Sequence, residues 1–157
     1  MRTPGCPLCA PPSSPPLWQD ARLRVIDARE PGLPGLTRII WDEHASEMTE
    51  LDPAARDHLM QKVWIVEQTL RTHLAPDKIN LAQLGNQVPH LHWHVIPRWP
   101  FDLNYPDAIW AAPRPQRREA WEAHCLVLQG RLPAYHAALR RALGPVDTER
   151  GLEKQPS

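Results

Sequence analysis

Three histidines are spaced two residues apart in the segment His90-Leu-His92-Trp-His94-Val-Ile. Successive side chains of a β-strand point to opposite faces of the sheet, so this spacing predicts that the three imidazoles share one face. The intervening leucine, tryptophan and valine are bulky, apolar and favourable in strands, which indicates that the opposite face is buried. The segment therefore predicts a cluster of imidazoles at one place on a sheet.

Three interpretations of this face compete. The imidazoles form an ordinary polar surface; they bind one metal ion, since neutral imidazole is a ligand of zinc, copper, iron and nickel; or one of them is a nucleophile that its neighbours orient and supply with protons. The residues that precede the histidines favour the nucleophile. Small amides and a glycine allow neutral donors and the backbone to approach a phosphate-bearing ligand closely. These residues are Asn80, Gln83, Gly85 and Asn86.

Together with Pro97 and Arg98, this run resembles the histidine-triad superfamily of nucleotidyl hydrolases and transferases. The similarity covers about residues 6 to 110, and three alternating histidines after a glycine-amide turn form a highly specific pattern. The resemblance implies that His92 attacks the α-phosphorus of a nucleotide and carries a covalent nucleotidyl intermediate. It further implies that His94 donates a proton to the leaving group or binds phosphate oxygens.

The chemistry suits imidazole, which titrates near neutrality and is therefore partly unprotonated and nucleophilic at physiological pH. Positioning and electrostatic stabilisation of the phosphate oxygens should dominate such a transfer. Asn86 and Gln83 are the candidate donors to the phosphate oxygens, and Asn80 is a further candidate for substrate binding. The family often has glutamine four residues before the first histidine, and Asn86 occupies that position here.

Cys6 and Cys9 form a Cys-x-x-Cys pair, which in a cytosolic chain is redox-active, half of a metal site, or coincidental. No predicted βαβ unit surrounds the pair, so thioredoxin-like chemistry is disfavoured. A structural zinc ion needs four ligands. Many bacterial histidine-triad proteins, and the related galactose-1-phosphate uridylyltransferases, complete such a site with two histidines. The resemblance therefore implies a structural zinc held by Cys6, Cys9, His44 and His90.

Two positions depart from the family pattern. Relatives commonly have Pro-Gly-His before the third strand, with the histidine in the active site, whereas this chain has Leu36 after Pro-Gly. The residue that usually contacts the ribose hydroxyls falls near Ala28, and Asp27 or Glu30 is the candidate replacement. Trp110 is either an aromatic residue of a subunit interface or a core residue.

The remaining elements follow from periodicity and turn residues. Asp52 and Pro53 are typical of a helix start, and Pro76 of a helix end. The segment Phe101–Pro115 is predicted to be an ordered loop, and Gly130 and Gly144 are predicted to end helices. The predicted strands are Leu17–Gln19, Leu23–Ile26, Leu36–Trp41, Asp77–Leu84 and His90–Pro97, and the predicted helices are residues 53 to 74, Gln116–Gln129 and Pro133–Leu143.

The element order agrees with the fold that the resemblance implies. That fold is an α+β fold in which a five-stranded antiparallel sheet packs against a main helix, and it usually forms a homodimer. We predict a histidine-triad (HIT) domain over residues 1–112, a C-terminal helical extension over 113–144, and a disordered tail over 145–157.

Composition restricts the class of partner. The 157-residue chain carries 18 basic and 18 acidic residues, so we expect no general attraction for nucleic acid or an anionic membrane. No apolar run is long enough to span a membrane, and no signal-peptide pattern is present, which predicts a cytoplasmic protein.

The sequence thus predicts an enzyme that cleaves a nucleotide phosphoanhydride or phosphoramidate, such as a dinucleoside polyphosphate. Two alternatives stay open. One is a zinc-stabilised nucleotide-binding protein with a regulatory role and no significant turnover, and the other is a metal-dependent enzyme that uses all three histidines.

Overall fold

A computed structural model describes residues 3–145 of the chain, so all of the predicted tail except Pro145 lies outside the described residues. Five strands and two long helices form in this part of the chain. In chain order they are β1 (Trp18–Gln19), β2 (Leu23–Asp27), β3 (Thr37–Trp41), α1 (Pro53–Leu74), β4 (Lys78–Gln83), β5 (His92–Arg98) and α2 (Arg118–Leu143).

The strands form one antiparallel sheet in the order β1-β2-β3-β5-β4. This arrangement confirms the α+β fold with a five-stranded antiparallel sheet. The histidine-bearing strand β5 lies between β3 and β4 and pairs with both, so its register is fixed from two sides. Helix α1 begins and ends where the sequence predicts. The Asp52 side chain accepts a hydrogen bond from the Ala55 N–H at 2.8 Å, and Ala75 ends the helix in a left-handed conformation.

The two helices cover one face of the sheet. Val25, Ile39 and Val95 are completely buried on this face, together with the apolar stripe of α1. Helix α2 joins the same core, and the Tyr135 hydroxyl hydrogen-bonds to the Thr37 hydroxyl at 2.8 Å. The imidazoles of β5 alternate with Val95 and therefore lie on the opposite face, away from the helices.

The prediction of two C-terminal helices separated at Gly130 is wrong. Helix α2 is continuous from Arg118 to Leu143 and contains both Gly130 and Pro133. Glycine and proline cost a helix interior about 1 and 3 kcal/mol, and burial of one large apolar side chain contributes roughly 1.5–3 kcal/mol. Five large residues of α2 are buried, on both sides of the break that was predicted, and their packing outweighs the cost. They are Trp121, Leu128, Tyr135, Leu139 and Leu143.

The predicted loop between β5 and α2 is confirmed, and Arg98 holds it against the sheet. The Arg98 guanidinium, 2% exposed, donates to both carboxylate oxygens of Asp102 at 2.7 and 3.1 Å and to the Asp107 carbonyl at 2.9 Å. Burial alone would raise the pKa of Asp102, but Arg98 and two backbone N–H donors outweigh burial and lower that pKa. The loop is therefore anchored by a charged pair that has its hydrogen bonds satisfied.

No helix in residues 3–145 is long and apolar enough to cross a membrane.

The turn between β2 and β3 offers a matched pair of glycines for a stability test. Gly32 and Gly35 both have positive φ, +74° and +85°, so alanine at either position carries a backbone cost of roughly 1–2 kcal/mol. A Cβ at Gly35 would also lie 2.4 Å from the buried Leu74 Cδ1, whereas a Cβ at Gly32 meets nothing within 4 Å. We expect Gly35→Ala to lower the free energy of unfolding by about 1–3 kcal/mol more than Gly32→Ala. Urea denaturation of both variants measures the difference, and equal losses would contradict this packing argument.

Candidate active site and zinc site

Two cysteines and two histidines bring their ligand atoms together on the edge of the imidazole face. The donor atoms of Cys6, Cys9, His44 and His90 all lie within 4.8 Å of one another. The His90 Nδ1 atom is 3.4 Å from Cys6 Sγ and 3.5 Å from Cys9 Sγ, and the His44 Nδ1 atom is 3.4 Å from Cys9 Sγ. Tetrahedral zinc with ordinary Zn–S and Zn–N bonds places such atoms about 3.5 Å apart. The geometry and the donor set therefore fit zinc.

The orientation of His90 supports its role as a ligand. Its Nε2–H donates to the Trp41 carbonyl oxygen at 2.6 Å, which leaves the Nδ1 lone pair for a metal. Burial lowers the pKa of His90, so the neutral form that can bind a metal is favoured. His90 precedes β5 and is not part of it, which corrects the predicted strand start at this residue.

In residues 3–145, the group of side chains that could hold a metal ion contains His90 but neither His92 nor His94. Both ring nitrogens of His90 already have other partners, namely the cysteine sulfurs and the Trp41 carbonyl. The structure therefore separates the triad into one residue of the cysteine cluster and two buried residues on the sheet face opposite the helices.

Arg24 fixes the cysteine-bearing turn to the sheet. Its buried guanidinium donates to the Leu8 carbonyl at 2.5 Å and pairs with the Asp42 carboxylate at 2.8 Å. Leu8 lies between the two cysteines, so this contact determines where the turn sits. The N-terminal segment is thus held on the face that carries the imidazoles.

His92 and His94 share a backbone-directed orientation. The Nδ1 atom of His92 lies 2.5 Å from the His90 carbonyl oxygen, and the Nδ1 atom of His94 lies 3.3 Å from the Ala82 carbonyl oxygen. A carbonyl oxygen can only accept, so Nδ1 carries the proton in each neutral ring and Nε2 carries the lone pair. The ring centroids are 4.9 Å apart. Two Nε2 atoms are therefore available for chemistry in a small region.

The protonation state of His94 follows from its surroundings. Burial, the neighbouring His92 and the positive charge of Arg38 lower the pKa of His94 to about 4, against the opposing effect of its bond to the Ala82 carbonyl. His94 is consequently neutral at physiological pH when no ligand is bound.

Two rows of side chains cross the imidazole face, one through each of these histidines. Because the strands are antiparallel and in a fixed register, each row contains residues that are direct neighbours on adjacent strands. The rows are Arg24–Ile40–His92 and Ile26–Arg38–His94–Ala82.

A cavity of about 310 Å³ lies at the β2 end of these rows. Arg24, Ile26 and Ile40 form its floor, and the proline-rich segment around Pro11–Pro15 forms its wall. Ile40 is the direct neighbour of His92, so the cavity begins one strand away from the imidazole. Its size is at the lower end of the range for small-molecule sites.

The candidate substrate-binding residues divide between the two faces. Asn80 shares the imidazole face and pairs in register with Ile96, while its Oδ1 atom accepts a hydrogen bond from Arg98 at 2.9 Å. Asn86 is exposed in the turn that leads to His90. Gln83 pairs with Trp93 on the helix-covered face and donates to the Ser46 carbonyl at 3.3 Å. The structure therefore does not bring Gln83 to the imidazoles.

Asp27 pairs with Thr37, whose side chain faces the helices, and its Oδ2 atom is 3.4 Å from His136 Nε2. Asp27 nevertheless lines the end of the cavity. Leu36 is buried, at 1% exposure. Trp110 is 67% exposed, which rules out the core alternative for this residue.

Arg38 is a residue of the site that sequence reasoning did not select. It neighbours His94, but only the register between β3 and β5 reveals this, since 56 positions separate the two in the chain. The sequence offers one signal, the alternation along β3 that places Arg38 and Ile40 on the same face of the sheet. That signal does not identify the strand that pairs with β3.

The family follows from these observations and from comparison with known proteins. The model of the HIT domain matches residues 15–101. With the five-stranded sheet and its paired imidazoles, this match shows that the chain belongs to the histidine triad (HIT domain) family. Comparison with curated protein sequences gives no match.

Solved structures of bacterial histidine triad proteins share the fold. The chain is 26% identical to one from Bradyrhizobium japonicum, with a TM-score of 0.63 and coverage of 82% of this chain and 90% of that one. It is 25% identical to one from Sinorhizobium meliloti 1021, with a TM-score of 0.57 and coverage of 74% and 87%. A third, from Marinobacter aquaeolei VT8, is 23% identical with a TM-score of 0.61 and coverage of 82% and 88%, and shows the common fold.

The ligand cluster generates a prediction about metal content. If the four residues hold one structural zinc, elemental analysis should find about one zinc per chain. Cys6→Ser combined with Cys9→Ser should remove the metal and lower the melting temperature, because metal binding contributes to folding. Cys125→Ser is the matched control, since this thiol lies on α2 outside the cluster and should leave the metal in place. Retention of zinc by the double variant, or its loss on changing His92, would show that the ligands are assigned wrongly.

The pKa of His94 generates a prediction about pH. The folded value is about 4 and the ordinary value is 6.5, so between them the unfolded chain binds more protons at this residue. The contribution of His94 to the free energy of unfolding should therefore fall as the pH drops from about 6.5 to about 4. We expect the wild type to lose more stability over this range than His94→Gln in urea titrations at several pH values. A histidine NMR titration that places the His94 midpoint near 6.5 would contradict the assignment.

Proposed function

We propose that this protein catalyses hydrolysis or transfer of a nucleotidyl group through a covalent intermediate on His92. The Nε2 atom of His92 forms a bond to the α-phosphorus while the bond from phosphorus to the leaving group breaks. The leaving group takes up a proton. Water then forms a bond to phosphorus while the P–Nε2 bond breaks, and the proton that the water loses returns to His94. This step releases a nucleoside monophosphate and restores both imidazoles.

The contact between the His92 Nδ1–H and the His90 carbonyl carries this proposal. It fixes the proton on the nitrogen that faces the backbone and leaves the lone pair of the neutral ring on Nε2. The same contact orients the ring, which reduces the entropy that an attack on phosphorus would otherwise cost. Membership of the HIT domain family also supports the proposal, because it links the fold and the histidine motif of this chain to that superfamily.

The proton for the leaving group is proposed to pass through His94. This residue is neutral without ligand because burial and nearby positive charge lower its pKa. A bound phosphate places negative charge next to the ring, which raises the pKa and favours uptake of a proton. His94 can then donate that proton from Nε2, since its Nδ1–H is engaged with the Ala82 carbonyl.

The substrate class follows from what surrounds His92. The adjacent cavity, about 310 Å³, is lined by prolines and aliphatic side chains together with two serines and the charged Arg24, Asp27 and Arg29, and it is the proposed site of the nucleoside part. Asn86 and Asn80 stay as the proposed amide donors to the phosphate. The homodimer and the cytoplasmic location remain predictions from the sequence.

The nucleophile is tested by His92→Ala. We expect this variant to lose turnover by at least about 1,000-fold while nucleotide binding and the melting temperature are largely kept, because only the attacking atom is removed. Turnover should be measured on a dinucleoside polyphosphate, an aminoacyl adenylate and a nucleoside phosphoramidate. Rapid quenching followed by mass spectrometry should detect one added nucleotidyl group on the wild type and none on His92→Ala.

His73→Ala is the matched control for that variant. His73 lies on α1 and bonds to the carbonyl of its own helix, far from the imidazole face in the fold. We expect it to keep wild-type turnover. Activity of His92→Ala within tenfold of the wild type would overturn the covalent mechanism.

A further inference from the structure

Arg38 occupies the position between the cavity and the catalytic imidazoles. On one side its direct neighbour is Ile26, which forms part of the cavity floor, and on the other side it is His94. Direct neighbours in a sheet have Cβ atoms about 4.5–5.5 Å apart. A ligand that extends from the cavity to His92 therefore passes next to the Arg38 side chain.

The Arg38 guanidinium makes few interactions with the described part of the chain. Its Nε atom is buried and has no hydrogen-bond partner. Its one ion pair in the described part of the chain joins a terminal nitrogen to Glu30 Oε2 at 3.4 Å, and this carboxylate is 47% exposed. An exposed pair at this distance contributes little to stability, whereas a buried N–H without a partner is costly.

Arg24 and Arg98 also lie on this face, but both are buried and both have their hydrogen-bonding groups engaged. Arg24 is bound to the Asp42 carboxylate and the Leu8 carbonyl. Arg98 is bound to Asp102, Asn80 and the Asp107 carbonyl. Both hold the fold in place, so among the arginines that face the imidazoles in residues 3–145, Arg38 has donors to offer to a ligand.

We propose that Arg38 binds a non-bridging phosphate oxygen of the nucleotide. This oxygen would replace the Glu30 carboxylate as the ion-pair partner of the guanidinium. The planar guanidinium can direct Nε–H and a terminal N–H to the same phosphate, which gives a charge-assisted pair of hydrogen bonds. The inference rests on the proposed function and adds the residue that recognises the charge of the substrate. It also assigns Glu30 as the group that occupies Arg38 when no anion is bound.

A comparison of binding between nucleoside monophosphates and the corresponding nucleosides separates recognition of the phosphate from recognition of the base and ribose. The ligands are the 5′-monophosphates of adenosine, guanosine, cytidine and uridine together with the four uncharged nucleosides, measured by isothermal titration calorimetry on the full chain. We expect Arg38→Gln to lower the affinity for the monophosphates roughly 10- to 100-fold and the affinity for the nucleosides by about twofold at most. Arg118→Gln, on exposed α2, is the control and should change neither.

Two further variants keep the test informative if Arg38→Gln folds poorly. Arg38→Lys retains the charge but not the planar pair of donors, so the monophosphates should bind with intermediate affinity. Glu30→Gln removes the competing carboxylate from an exposed position, so the monophosphates should bind severalfold more tightly than to the wild type. A melting curve of each variant identifies loss of fold.

The outcomes distinguish the inference from the proposed function. A selective loss of monophosphate affinity supports the inference. Unchanged monophosphate affinity in Arg38→Gln, or weaker binding to Glu30→Gln, overturns the inference and leaves the proposed function standing. An equal loss for nucleosides and monophosphates also overturns it, because Arg38 would then shape the cavity. A wild-type protein that binds none of the four monophosphates overturns both.

Discussion

The arrangement of the site depends on the three contacts that His90 makes at once. Its Nδ1 atom faces the cysteine sulfurs, its Nε2–H is fixed by the Trp41 carbonyl, and its own carbonyl oxygen accepts the Nδ1–H of His92. A single residue thus joins the cysteine cluster to the orientation of His92, the proposed nucleophile, through one short piece of backbone. Displacement of His90 would therefore alter both the candidate zinc site and the orientation of His92.

The two faces of the sheet have different roles. One face is covered by α1 and α2, and its apolar packing fixes the register of β3, β5 and β4. The other face receives the imidazoles and arginines that this register aligns into rows. Positive charge and burial act in the same direction on His94, since both disfavour its protonated form. An anion bound beside these groups, as we propose, would favour protonation of His94 and give the Arg38 Nε–H a hydrogen-bond partner.

Much of this fold could be predicted from the sequence, because its strongest signals are local. The cap at Asp52, the stripe of α1 and the alternation around His92 each depend on neighbours in the chain, and the structure contains all three. The family pattern extended this to the cysteine cluster. Long-range packing explains what was missed. Burial on both sides of Gly130 keeps α2 continuous, and the pairing of Gln83 with Trp93 turns a plausible phosphate donor toward the helices. No local pattern reveals that Arg38 neighbours His94.

The wide separation of its ligands along the chain affects when the cysteine cluster can form. Cys6 and His90 are 84 positions apart, so the ribosome delivers the first ligands long before the last. Closing so long a loop is entropically costly until the sheet has already brought its ends together. The cysteine cluster, which directly precedes the wall of the cavity, can therefore be completed only after the segment before β5 has been synthesised and has reached the sheet.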